Sequence, residues 1–229
     1  NGTAVTIDLN DGTARTWQAA GPTDTRDPKI EVRGSTLIVT DSGMIDANNT
    51  PVYQLWPGLV LAGGSTAIIR NGAMVDVSYV GSTVLGATDR LIVTDPGTQL
   101  ISYYTKPTAG CSVLVTNGAT LSGGDWYGGG DLIVTGPGSR GQFGTYIYAA
   151  TSVRITDSGR IDSTGEFMCP NVVIGGGSGV STGQVSTSYI GEGYNPYQWK
   201  ITTNGVLDIM GGYLEVRDGW FGAAMASIL

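Results

Sequence analysis

The sequence predicts an all-β chain wound as a right-handed parallel β-helix, a β-solenoid of about eight coils. Three observations carry that expectation. A phrase reading Leu-Ile-Val-Thr-x-x-Gly recurs along the chain at a solenoid's period. Each copy is a short β-branched run closed by Asp-Ser-Gly, Asn-Gly or Pro-Gly, which form turns. Gly supplies 37 of 229 residues against only 9 Pro and 14% charged residues, so disorder and collagen fit poorly. Much of the remainder is Thr, Ser, Val and Ile, which favour strands, and long helix-forming runs are absent.

Residues 1–34 stand outside the repeat, and Asn10-Asp11-Gly12 between two β-like stretches predicts a hairpin there. This region is expected to cap or open the stack, because an exposed edge is a template for further strands. Residues 35–229 carry the coils. The repeat glycines are Gly43, Gly72, Gly97, Gly118, Gly138, Gly159 and Gly205, spaced 20 to 29 apart until a last step of 46. That long step predicts a degenerate copy near Val172-Val173-Ile174-Gly175. In most copies an apolar residue returns six positions after the central one, as from Val39 to Ile45, Ile69 to Val75, Val115 to Leu121, Ile155 to Ile161 and Ile201 to Leu207. This spacing describes a strand, a bend at the glycine and a second inward-pointing strand.

A further short β run, as in Tyr146-Ile147-Tyr148, Val172-Val173-Ile174 and Tyr189-Ile190, gives about three faces per coil. The residue before each repeat glycine is Asn71, Asn117, Asn204, Ser42, Ser158, Pro96 or Pro137, as turn geometry requires. At the far end Ala223 to Leu229 is apolar without a polar cap, so the natural protein is expected to continue.

The formal net charge of −7, with no Lys/Arg cluster, argues against nucleic acid and against acidic polymers as partners. No apolar run reaches the roughly 18–20 residues of a membrane-spanning helix. Cys111 and Cys169 lack the spacing of a zinc or redox motif, and are expected to be isolated core residues, with a disulfide as the other reading.

Leu132-Ile133-Val134-Thr135-Gly136-Pro137-Gly138-Ser139, followed by a Gly-rich stretch and Val153-Arg154-Ile155-Thr156-Asp157-Ser158-Gly159, resembles the passenger domains of bacterial autotransporters. The resemblance spans about residues 35–219. It implies a secreted β-helix displayed at the bacterial cell surface that serves adhesion or aggregation. No translocator barrel is present, the coils vary from 20 to 29 residues, and two cysteines are unusual for such passengers.

The chain has no histidine, so Ser-His-Asp and Cys-His catalysis and His-based zinc sites are excluded. No cofactor or metal site is expected, since the calcium-binding nonapeptide is not repeated either. The alternative to a non-enzymatic scaffold is a polysaccharide-active β-helix using Asp pairs, which glycosidases hold about 5–9.5 Å apart. Asp41 with Asp46, Asp157 with Asp162, and Asp208 at the same phase as Asp46 and Asp162 are the available acids. Their recurrence at fixed phases suits turns and outward strand positions better than one catalytic site. Arg70, Arg90, Arg140, Arg154 and Arg217 are scattered, and the Gly runs 128–130 and 175–177 do not continue as phosphate loops.

Aromatics are the more telling feature. Tyr146 and Tyr148 flank Ile147 and must point outward if that strand alternates. Tyr103-Tyr104 and Trp126-Tyr127 fall after successive repeat glycines, where loops are expected, and Tyr194 and Tyr197 cluster later. Trp56 is expected in a protruding loop. Together Tyr103, Tyr104, Trp126, Tyr127, Tyr146, Tyr148, Tyr194 and Tyr197 form the candidate binding set. Their expected partner is a protein or glycan on a host or neighbouring cell, or a second copy of the chain.

Overall fold

The computed structural model describes residues 4–8, 16–18, 30–41, 44–46, 56–144, 146–148, 150–163, 166–169, 171–175, 184–187, 189–190, 206–210 and 213–216. The described chain is an all-β parallel solenoid. Every pairing among its described strands is parallel. Parallel neighbours in sequence order cannot be joined by tight hairpins, so each coil must travel around the core before returning one rung higher.

The first face stacks nine described strands: Ala4–Asp8, Thr36–Thr40, Thr66–Ile69, Arg90–Thr94, Ser112–Thr116, Asp131–Thr135, Ser152–Thr156, Asn171–Gly175 and Val206–Met210. The second runs from Thr16–Gln18 through Met44–Asp46, Met74–Leu85, Gln99–Pro107, Thr120–Tyr127, Arg140–Phe143, Arg160–Ser163 and Gln184–Thr187 to Tyr213–Val216. A third begins at Ile30–Arg33 and Trp56–Ala62. It then uses the far halves of Met74–Leu85, Gln99–Pro107 and Thr120–Tyr127, and continues through Tyr146–Tyr148, Glu166–Met168 and Tyr189–Ile190. Three strands thus bend around the corner between the second and third faces.

Alternation makes the core. On the first face Leu37, Ala67, Leu91, Val113, Leu132, Val153 and Val172 form one buried column, and Val39, Ile69, Val93, Val115, Val134, Ile155 and Ile174 form a second. Each Leu, Ile or Val in such a column contributes about 1.5–3 kcal/mol by leaving water. On the second face Ile45, Val75, Leu100, Leu121 and Ile161 face them, with Gly141 in the same column. The six-residue return therefore joins two buried strands across a turn. The Pro-Gly copies run one residue longer, from Val93 to Leu100 and from Val134 to Gly141, because their turns hold Asp95-Pro96-Gly97-Thr98 and Gly136-Pro137-Gly138-Ser139.

Those turns are tied from coil to coil. Asp41, Asn71, Asp95, Asn117 and Asp157 all have positive φ, which Asn and Asp tolerate better than other side chains. Asn71 Nδ2 donates to Asp41 Oδ1 at 3.1 Å and to Thr40 Oγ1 at 3.2 Å, while the Asn71 N–H donates to Asp95 Oδ2 at 3.2 Å. Asn117 Nδ2 donates to Thr94 Oγ1 at 3.1 Å. Small residues Ala73, Thr98, Ala119 and Ser139 fill the inside of the corner, where Thr98 Oγ1 and Ser139 Oγ accept the Gly72 and Gly118 N–H groups. The buried Asp89 carboxylate performs the same service at another corner, accepting the Ser65 and Gly86 N–H groups at 2.7 Å each.

Several sequence expectations are corrected here. Ala4–Asp8 and Thr16–Gln18 do not pair as a hairpin; they extend the first and second faces in parallel with Thr36–Thr40 and Met44–Asp46. They add a rung, so the first face has nine described strands rather than eight. Trp56 lies in a strand rather than a loop. Val206–Met210 stacks on Asn171–Gly175, which places Asp208 on the first face and not at the phase of Asp46 and Asp162. The degenerate copy at 171–175 is a first-face strand, so Val172-Val173-Ile174 does not serve as a third-face run. Cys111 and Cys169 are free thiols, set beside the 112–116 and 171–175 rungs. Three rungs separate them, about 14 Å at 4.8 Å per rung, beyond disulfide reach. Burial raises the Cys111 thiol to about 11 and the Cys169 thiol to about 12.

Candidate functional site

The third face and its corner with the second gather the aromatic residues. At the corner the 74–85 strand carries extra residues: Ser102 pairs with Val77 and Tyr104 with Ser82, so the register shifts between Ser102 and Tyr104. Ser102 pins this irregularity from inside. Its hydroxyl accepts the Thr83 N–H at 3.0 Å and donates to the Tyr104 carbonyl at 2.6 Å. Because the register slips here, neighbours Tyr103 and Tyr104 both escape the core, Tyr103 with 41% of its surface exposed.

The next coil follows the same bend with Gly123 and Gly124. A Cβ at Gly123 would sit 2.0 Å from the Ser102 carbonyl oxygen, and one at Gly124 would sit 2.5 Å from the Tyr103 carbonyl oxygen. Only glycine passes that close to the backbone below. Asp125 then accepts the Tyr146 N–H at 2.7 Å, holding the following coil's strand in place. Beyond it Trp126 turns inward and Tyr127 outward, as strand alternation requires.

Tyr127 is the hub of the strip. Its ring centroid lies 5.5 Å from Tyr104, 6.3 Å from Tyr146 and 5.9 Å from Tyr148, with interplanar angles of 81°, 54° and 44°. Tyr103 meets Tyr104 edge-on at 4.4 Å, and Lys106 Nζ lies 5.1 Å from the Tyr104 ring centre. The two edge-to-face contacts, Tyr103–Tyr104 and Tyr104–Tyr127, are worth about 0.5–1.5 kcal/mol each, and all four contacts restrict the rings that make them. Tyr127 and Tyr148 remain 39% and 43% exposed. A hydrogen bond with Tyr103, followed by partial burial, pushes the Tyr104 phenol up to about 12, so it stays protonated at neutral pH. The strip can offer ring surface and phenolic hydroxyls, with one cation at its edge.

Five of the eight aromatics singled out from sequence, Tyr103, Tyr104, Tyr127, Tyr146 and Tyr148, meet in this strip. Tyr103, Tyr104 and Tyr127 lie in strands rather than loops, and Tyr146 and Tyr148 flank Ile147 in the expected short strand. Trp126 is the correction. It is fully buried in the column of Leu59, Thr83, Thr105 and Ile147, its Nε1 donates to the Gly128 carbonyl at 3.0 Å, and its ring meets Phe143 edge-on at 6.3 Å. A small neighbour leaves it room, since Thr105 lies one rung below. Tyr194 and Tyr197 lie outside the described residues.

The candidate acids have other occupations. Asp41 and Asp157 sit in positive-φ turns, where Asp41 accepts from Thr40 and Asn71 and Asp157 from Thr135. Asp162 is bound by Arg140 at 2.7 Å and Arg160 at 2.6 Å. Partial burial opposes its charge, yet hydrogen bonds from the two guanidinium groups outweigh that and hold the carboxyl below its ordinary range. A general acid needs the opposite shift. The Asp46 and Asp208 side chains lie outside the described residues. Among the described residues no group of three or more acidic or Cys side chains gathers to hold a metal, and no helix is long and apolar enough to cross a membrane. The chain matches no protein family, no curated protein and no solved structure with which it was compared.

Proposed function

We propose that this solenoid is a non-enzymatic scaffold, secreted to or displayed at a bacterial cell surface in the manner of an autotransporter passenger. Its tyrosine strip makes the adhesive contact with a glycan on a host or neighbouring cell. The observation that supports this reading is the strip itself: five tyrosines from three successive coils, joined through Tyr127 and lying outward on a rigid sheet. Rings already restrained by one another lose little freedom on binding, and the flat faces of sugar rings stack on such side chains. The net charge of −7 favours a neutral glycan over an acidic one. A protein ligand is the competing occupant, and a polysaccharide-cleaving role draws less support because Asp162 is held ionised by two arginines.

The test compares wild type with Tyr127→Ser and Tyr148→Ser for binding to cells and to an array of neutral and acidic glycans. Each substitution should lower glycan binding at least tenfold while leaving the circular dichroism spectrum in place, with Tyr127→Ser, which removes three ring contacts, the less stable of the two. Unchanged binding with unchanged folding would sink the proposal. Turnover of a polysaccharide that is lost in Asp157→Asn or Asp162→Asn would decide for the enzyme instead.

A further inference from the structure

The first face carries a second outward feature, unrelated to the tyrosines. Between its two inward columns runs a third column of side chains that alternation points away from the core: Ile38, Ile68, Ile92, Leu114, Ile133, Arg154 and Val173, in unbroken register. All except the exposed Arg154 are partly covered. Five consecutive aliphatic residues, from Ile38 to Ile133, thus form a straight apolar ridge about 19 Å long at 4.8 Å per rung. A parallel sheet is ordinarily covered on both faces.

The neighbouring outward column identifies the cover. It reads Thr36, Thr66, Arg90, Ser112, Asp131, Ser152, with Arg90 and Asp131 one rung below and one rung above Ser112. Arg90 is exposed and Asp131 partly so. A two-fold axis along the 112–116 strand would lay a second copy on this face with its rungs in reverse order. Leu114 then meets Leu114, Ile92 meets Ile133, and Ile38 meets Val173. The aliphatic stem of Arg154 covers Ile68, and each Arg90 faces the Asp131 of the other copy. The charges are complementary only in that reversed arrangement. With the two-fold axis along the solenoid instead, rungs align but each strand reverses, so Arg90 would face Thr94 and Asp131 would face Thr135 of the other copy, and the charges would not meet.

We infer that the first face is a self-association surface for a second copy of this chain, packed antiparallel about Leu114. Five-residue strands over seven rungs cover about 16 by 29 Å, so a pair buries about 900 Å², at the low end of specific interfaces and suited to reversible pairing. Sedimentation velocity across a concentration series tests it. Wild type should shift from monomer to dimer with rising concentration. Arg90→Asp should weaken pairing at least tenfold, and the double variant Arg90→Asp, Asp131→Arg should recover to within about threefold of wild type. Leu114→Asp, which sets two carboxylates against each other on the axis, should be monomeric with an unchanged circular dichroism spectrum. Tyr127→Ser should pair as wild type does, which separates this surface from the tyrosine strip. A monomer at every concentration, pairing that survives Leu114→Asp, or a folded double variant that fails to recover would each overturn the inference.

Discussion

Trp126 and Tyr127 are adjacent in the chain and serve opposite sides of it. Removing the Trp126 ring leaves a hole facing Phe143, Thr105 and Ile147, with few side chains able to collapse into it, because parallel strands above and below fix the backbone. Trp126→Ala should therefore cost about 3–5 kcal/mol. Tyr148→Ser, at a site 43% exposed with one ring contact, should cost no more than about 1.5 kcal/mol. Urea unfolding of both variants measures the contrast, and equal losses would refute the assigned orientations. The sequence made the tyrosines legible as a group because they cluster after successive repeat glycines. It hid the side that Trp126 takes, since an aromatic pair reads the same in either phase. The signal that resolves it is the following coil, where Tyr146-Ile147-Tyr148 has one apolar residue between two tyrosines. Aligning Trp126 with Ile147 puts it inside.

At the scale of a turn, the corner between the first and second faces alternates acid and amide in its lower rungs: Asp41, Asn71, Asp95, Asn117. Neighbouring rungs are about 4.8 Å apart, so two carboxylates on successive rungs would repel, whereas Asn71 donates to both Thr40 and Asp41. Asn71→Asp keeps the shape, removes those donors and inserts a third charge between two others. It should lower stability by about 1 kcal/mol, with much of the loss recovered in about 1 M salt, where the screening length falls to about 3 Å. Urea midpoints at low and high salt report this directly, and a loss indifferent to salt would contradict the electrostatic cause. Most of the element pattern was open to reading. Leu37 and Val39 alternate with Ile38, and the return to Ile45 marks the next strand. The N-terminal strands were misread because Asn10-Asp11-Gly12 is a strong local hairpin signal, whereas pairing with strands some 30 residues away has no local signature. The outward column of Ile38, Ile68, Ile92, Leu114 and Ile133 was missed for a related reason. Leu-Ile-Val read as one apolar run conceals that its middle residue faces away.

For the molecule as a whole, a fixed rise per coil sets which distant residues can meet. Cys111 and Cys169 are brought to the same side but three rungs apart, so reducing agent should leave the melting temperature unchanged. With both thiols pushed up by burial, an aromatic disulfide reagent should react slowly until denaturant exposes two thiols at once. A melting temperature that falls on reduction would show that the coils lie otherwise. The length of chain per coil was predictable from the period, but the count and the late register were not. The Trp199 to Gly205 phrase imitates a repeat copy, whereas the first-face strand follows it at Val206–Met210. In the first-face strands the inward residues answer to the core and the outward residues to whatever lies outside, and the two sets alternate. The coil therefore behaves like a printer's frame that holds movable type. A substitution at Tyr127 changes a letter on one page and Arg90 a letter on another, while backbone hydrogen bonds keep the line spacing. The two pages can be re-set independently, so a chain altered in its tyrosine strip would keep the outward columns of its first face.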